Sequence, residues 1–199
     1  EMCIRDSGDI MQKTIWDDEL KVYPTLKKDL EVEVLVIGGG ICGILCAYRL
    51  AKSGKKVVLV EAERICSKKT RKTTAVITAL QDVLYGDLIK KIGKKQSKLF
   101  LEANLAAVEE YKKLAKEYSF DFEEVSSYKY STQDKKALYK EIDALLELGY
   151  QANFIEALAY PFAIEGAIEF KNQGQMNPVK LIQELSKFIE IYQNTKIID

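Results

Sequence analysis

Apolar runs punctuated by glycine give the first signal in the chain. Val32, Val34, Leu35, Val36 and Ile37 form a β-branched run that stops at Gly38, the pattern of a strand buried on both faces. Gly38 to Gly43 reads as a turn. Beyond it Ile44, Leu45, Tyr48 and Ala51 recur at helical spacing, and Ser53-Gly54 supplies the expected stop. Val57 to Val60 is a second apolar run, predicted to be a buried strand that ends at Glu61. Together they predict a β-α-β unit, long enough for a parallel pair joined by a crossover helix.

After Glu61 the pattern changes. Ser67 to Thr78 is rich in Thr, Ser, Lys and Arg and reads as a long loop. The spacing of Leu101, Leu105, Val108 and Leu114 predicts a helical region over about 87–118, broken near Gly93. Tyr128 and Tyr130 alternate with polar residues, as in a strand, where tyrosine more often packs than meets a substrate. Asp134 to Leu148 is an amphipathic helix closed by Gly149, and Ala163 to Phe170 reads as a strand. Asn177-Pro178 is a helix start, with proline at the first helical position. Ile189 to Tyr192 and Lys196 to Ile198 read as short strands. The fold class expected is α/β: a Rossmann-like β-α-β unit with an inserted α+β segment.

Composition narrows the chemistry. The 199 residues carry 30 Lys+Arg, 30 Asp+Glu and no His. Balanced charge gives no field for nucleic acid. Without histidine the chain can build no Ser-His or Cys-His nucleophile, no H-E-x-x-H zinc site and no His-ligated haem. Cys42, Cys46 and Cys66 form no C-x-x-C pair and are expected to be buried thiols in a reducing cytoplasm, and no metal site is expected. The longest apolar stretch, Val34 to Tyr48, is interrupted by glycines and falls short of the roughly 20 residues a membrane span needs. Residues 1–10 look like a translated adapter followed by a second methionine, Met11, and are set aside as a leader.

The chemistry-bearing motif is Gly38-Gly39-Gly40-Ile41-Cys42-Gly43, a G-x-G-x-x-G run after a predicted strand and at the start of a predicted helix. Gly38 suits the tight turn, Gly40 the close approach of a pyrophosphate, and Gly43 the packing of helix on sheet. The helix N-terminus favours phosphate charge. Glu61 stands 23 residues after Gly38, at the end of the second strand, where a carboxylate accepts from both ribose hydroxyls and repels a 2′-phosphate. Either FAD or NAD fits such a unit. More than a hundred residues separate Val60 from the next parallel candidate at Ile189, which suits a flavoprotein with a second domain growing out of the dinucleotide fold.

The chain resembles the FAD-dependent oxidoreductases of the D-amino acid oxidase superfamily. The residues that carry the likeness are Glu61 to Ser67, the run Thr73-Thr74-Ala75-Val76-Ile77-Thr78, and Lys171 to Pro178. The resemblance implies FAD as cofactor, with Gly38, Gly39, Gly40, Ile41, Cys42 and Gly43 along the pyrophosphate and Glu61 and Ala62 at the ribose. It implies Ser67, Thr73 and Thr74 on a loop beside the pyrophosphate, and Ile197 near the adenine. The basic cluster Lys68, Lys69, Arg71 and Lys72 would either screen the pyrophosphate or be solvated. Relatives often have Gly where this chain has Lys68, and a His where it has Leu80-Gln81. Some carry a C-terminal Rieske domain, for which this chain lacks the two histidines.

The resemblance divides the chain into an FAD-binding part at 11–82, a helical and substrate-domain segment at 83–176, and a return to the FAD-binding domain at 177–199, incomplete at the C-terminus. The implied activity is oxidation of a small amine or amino-acid-like substrate by hydride transfer to flavin N5. No catalytic residue is singled out. An NAD-dependent dehydrogenase with an insertion, or a non-catalytic nucleotide-binding fragment, are the alternatives.

Overall fold

A computed structural model describes residues 14–198; the leader at 1–10 and Cys3 lie outside them. The described residues form two compact units. One holds 75–177; the other holds the segment up to Thr74 and the segment from Pro178 onward.

The discontinuous unit is built on a three-stranded parallel sheet. Its strands are β1 (Val34–Ile37), β2 (Val57–Val60) and β7 (Glu190–Tyr192), in the order β1-β2-β7. Val34 pairs with Val57 and Ile37 with Val60, while Leu59 pairs with Ile191. Central β2 is buried at every residue. Helix α1 (Ile41–Lys52) joins β1 to β2 and buries Ile44, Ala47 and Tyr48. The Ser53-Gly54 stop forms as expected, with Gly54 at φ +85°. Helix α4 (Pro178–Ser186) leads into β7, and Phe188 just beyond it meets Tyr48 edge-on, ring centroids 5.7 Å apart.

Two expectations fail here. Strand β1 is not buried on both faces: Leu35 is 45% and Ile37 65% exposed. Its burial alternates, with Val34 and Val36 half-buried on one face and Leu35 and Ile37 exposed on the other. Lys196 to Ile198 is irregular chain rather than a strand.

The 75–177 unit is an antiparallel sheet backed by two helices. Strand β6 (Gly166–Gln175) is its spine, pairing with β3 (Val76–Ile77), β4 (Glu123–Ser131) and β5 (Asn153–Ile155). Strand alternation sends Ile168 and Phe170 into a core with Leu101, Leu138 and Leu145, and sends Glu169 to the opposite face. Helix α2 (Tyr85–Glu117) bends at Gly93, whose φ of +82° interrupts the helical path where the sequence places a break. Helix α3 (Lys136–Glu147) ends at Gly149, φ +89°. Its Glu141 is buried and accepts from the backbone N–H of Leu84 and Tyr85 on Oε1 (2.8 and 2.7 Å) and of Gly86 on Oε2 (2.9 Å). That carboxylate caps α2, whose own N-cap residue, Leu84, has no side-chain acceptor.

Candidate functional site: a glycine turn closed by a carboxylate and a hydroxyl

The turn between β1 and α1 needs its glycines for different reasons. Gly38 takes φ +105°, and a side chain there would touch nothing. A Cβ at Gly43 would lie 2.0 Å from the Gly38 carbonyl oxygen, so helix and strand could not approach. One at Gly39 would strike Ile65 at 2.5 Å. Gly40 is the exception. Its backbone is extended (φ −78°, ψ 177°), open to any residue, and a Cβ would meet only the Thr70 hydroxyl at 3.4 Å. Neither the chain path nor the core requires glycine there. What a side chain would fill is the space against the start of α1.

Glu61 lies at the end of β2 and is tied to the turn. Its Oε2 accepts from Gly39 N–H at 2.6 Å and its Oε1 from Glu63 N–H at 2.9 Å. The backbone of Glu61 is held from β7: its N–H donates to Tyr192 O, and its carbonyl accepts from Thr195 N–H, both at 2.9 Å. The carboxylate is half-buried, not loose in solvent, and two backbone contacts leave it lone pairs for further donors.

The hydroxyl that reaches the turn is Thr70. It sits in a short 3-10 turn, Lys69–Lys72, and its Oγ1 accepts from Ile41 N–H at 3.1 Å, supplying the cap that Gly40 cannot. Thr70 is hidden in the sequence because it stands inside a run of basic residues; the only signal is a hydroxyl at loop distance from a helix that starts without a capping side chain. Ser67, Thr73 and Thr74 flank it on the same loop and are exposed, as is Ala62. Cys42 is exposed on the first turn of α1 and Cys46 one turn on, contrary to the expectation of buried thiols. They take the helix's outer face, while Ala47 and Tyr48 take the inner one. Cys66 is buried, and burial pushes its thiol up to about 11 against the pull of Arg71. Ile197 lies in irregular chain beyond β7 and is 48% exposed.

The basic cluster does not act as one patch. Lys68 pairs with Glu63 at 2.6 Å, which raises its ammonium pKa. Arg71 faces inward, donating from Nε to the Trp16 carbonyl at 3.2 Å and from a terminal nitrogen to the Asp18 carbonyl. Lys69 and Lys72 are exposed.

In the other unit a second carboxylate is held by side chains. Glu169 accepts from Ser126 Oγ (2.9 Å) and Tyr128 OH (3.0 Å) on Oε1, and from Asn153 Nδ2 (3.0 Å) on Oε2. These bonds, Asn153's foremost, hold its carboxyl below the usual carboxylate value. Tyr130 packs against Tyr160 and Phe162, centroids 5.5 and 5.6 Å away. Among the described residues no group of three or more His, Cys, Asp or Glu is placed to hold a metal, and no helix is long and apolar enough to cross a membrane.

Strand, glycine turn, helix and strand-end carboxylate define a dinucleotide-binding unit. Residues 33–199 match the model of the FAD dependent oxidoreductase family, DAO, and the chain belongs to that family. It is 33% identical over 198 residues to the putative Rieske 2Fe-2S iron-sulfur protein YhfW of Bacillus subtilis (strain 168), covering 94% of this chain and 39% of that protein. Among solved structures it resembles L-proline dehydrogenase from P. horikoshii (TM-score 0.64, 20% identity, 89% of this chain and 46% of that one). It also resembles glycine oxidase from Bacillus cereus (TM-score 0.59, 21% identity, 85% and 48%). The chain thus spans less than half the length of each.

Proposed function

We propose that the chain lays FAD across the β1–α1 turn, pyrophosphate against Gly38–Gly43 and adenosine ribose on Glu61, and that the protein oxidises a C–N bond of a small amine or amino-acid-like substrate. The observation that carries this reading is Gly40, a glycine that neither backbone nor packing requires, at the mouth of a helix N-terminus. The backbone N–H groups of Gly40, Cys42 and Gly43 supply partial positive charge there, beside those of Gly39 and Ile41, which already donate to Glu61 and Thr70. Glu61 has lone pairs for a ribose diol beyond those on Gly39 and Glu63, and Ala62, which follows it, is exposed. Ser67, Thr73 and Thr74 present neutral hydroxyls, donors that suit phosphate and ribityl oxygens without fixing a charge, and Ile197 is the candidate for the adenine edge. The flavin would supply the hydride acceptor, at N5; the chain's residues bind and orient it. Amino-acid chemistry is supported by the likeness to L-proline dehydrogenase and glycine oxidase. Exposed free thiols at Cys42 and Cys46 support a reducing, cytoplasmic setting.

The test is Gly40→Ala in the full-length protein. Alanine fits the backbone and barely touches Thr70, so thermal stability should hold while flavin content per protein, read by absorbance, falls at least about tenfold. Equal flavin content in variant and parent would overturn the assignment.

A further inference from the structure

Among the described residues, the segment from 14 to β1 contains no helix or strand, yet residues 16–26 are stitched to the pieces that make the glycine turn's surroundings. At its start the indole Nε1 of Trp16 donates to the Thr73 carbonyl at 2.8 Å. Arg71 returns the contact, donating to the carbonyls of Trp16 and Asp18. This reciprocal lock holds the 3-10 turn that presents Thr70 to Ile41 N–H, from Arg71 within the turn and from Thr73 just after it. Further along, Gln183 of α4 donates to the Glu19 carbonyl. At its end, Gln193 N–H donates to Pro24 O at 2.9 Å, Tyr23 N–H to Gln193 Oε1 at 3.3 Å, and Leu26 N–H to Thr195 Oγ1 at 3.0 Å. Residues Tyr192 and Thr195 are the ones whose backbone clamps Glu61. One strap thus reaches both the hydroxyl loop and the carboxylate.

We infer that residues 16–26 are a positioning strap for the dinucleotide, and that Trp16 and Arg71 act as a single lock that holds the Thr70–Thr74 loop in place. Arg71 is then a positioning residue and not a phosphate ligand. Its fork serves two carbonyl oxygens at once, a geometry one ammonium does not reproduce. The inference rests on the reading that FAD binds this turn.

The test uses full-length protein and the variants Trp16→Phe, Arg71→Ala, Arg71→Lys and the double Trp16→Phe/Arg71→Ala. The first readout needs no flavin: trypsin cleavage within 67–74, where Lys68, Lys69 and Lys72 remain in every variant. Each variant should be cut there about tenfold faster than parent, with cleavage at Lys90–Lys98 unchanged as the sign that the fold survives. The second readout is the FAD dissociation constant, expected to rise about tenfold in each single variant and by no more than that in the double, since both break one lock. Arg71→Lys should behave like Arg71→Ala. If Arg71→Lys binds FAD like parent, or the double variant is additive, Arg71 acts on phosphate by its charge and the lock is wrong. Parent-like cleavage in Trp16→Phe would also overturn it. If the parent holds no FAD, the functional reading falls, and the protease result still decides the strap.

Discussion

Helices α1 and α2 both start without a capping side chain of their own, and both borrow an acceptor from elsewhere in the chain. They borrow different ones. At α2 the acceptor is the buried carboxylate of Glu141, which takes three backbone N–H groups and shuts the terminus. At α1 it is the hydroxyl of Thr70, on an exposed loop, taking one, while Glu61 holds the turn from the side. A charge buried against three amides is costly to disturb. A neutral hydroxyl at the protein surface is not. The first arrangement suits a terminus that stays closed, the second a terminus that shares its amides with an anion.

The α1 terminus depends most heavily on the close approach of helix and strand. Gly43→Ala puts a methyl 2.0 Å from a carbonyl oxygen and should cost about 3 kcal/mol or more in urea unfolding; a cost under about 1 kcal/mol would mean that α1 sits farther from β1. Glu141→Ala should cost about 2–3 kcal/mol by leaving the α2 amides unmet, with Glu141→Gln recovering part; hydrogen exchange at Leu84, Tyr85 and Gly86 should rise in both. Thr70→Val, by contrast, should cost only about 1 kcal/mol. If Thr70→Val and Glu141→Ala were equally damaging, the two termini would not differ in kind.

A smaller effect is expected from pH. Glu169 has a lowered folded pKa, so its contribution is fully present above the ordinary value of 4.5 and is lost as pH falls through the lowered value. Asn153→Ala removes the leading cause, and the acid unfolding midpoint should move up by roughly a few tenths of a pH unit. Smallest is a reactivity contrast without stability cost: Cys42 and Cys46 should react quickly with a maleimide at neutral pH, and Cys66 only on unfolding.

What could be read from the sequence is what local periodicity and glycine encode. Strand β1, the turn, α1, β2 and Glu61 fall where the pattern puts them, as do the Gly93 break and the Gly149 stop, because each depends on residues within a few positions. The exposure of Leu35 and Ile37 was not legible, since an apolar run does not say whether anything covers its second face. Strand β3 is two residues long and exists by pairing with β6, a partner distant in sequence, while β5 is three residues long, too short for alternation to show. At the site, the glycines and Glu61 announce themselves, but Thr70 and Arg71 do not. Their roles depend on contacts 29 and 55 residues away along the chain, and no spacing rule within the loop predicts them.

The stitching of the strap to β7 also sets an order of events during synthesis. Residues 75–177 form a continuous stretch and can collapse as soon as they leave the ribosome. The dinucleotide unit cannot. Tyr23 meets Gln193 across 170 residues and Leu26 meets Thr195 across 169, so residues 23–26 must wait for the last of these partners to emerge. Loops of that length close slowly. Residues 16–26 therefore stay without these partners while the 75–177 unit is made, and the unit whose motif the sequence shows first closes only after that one can have folded.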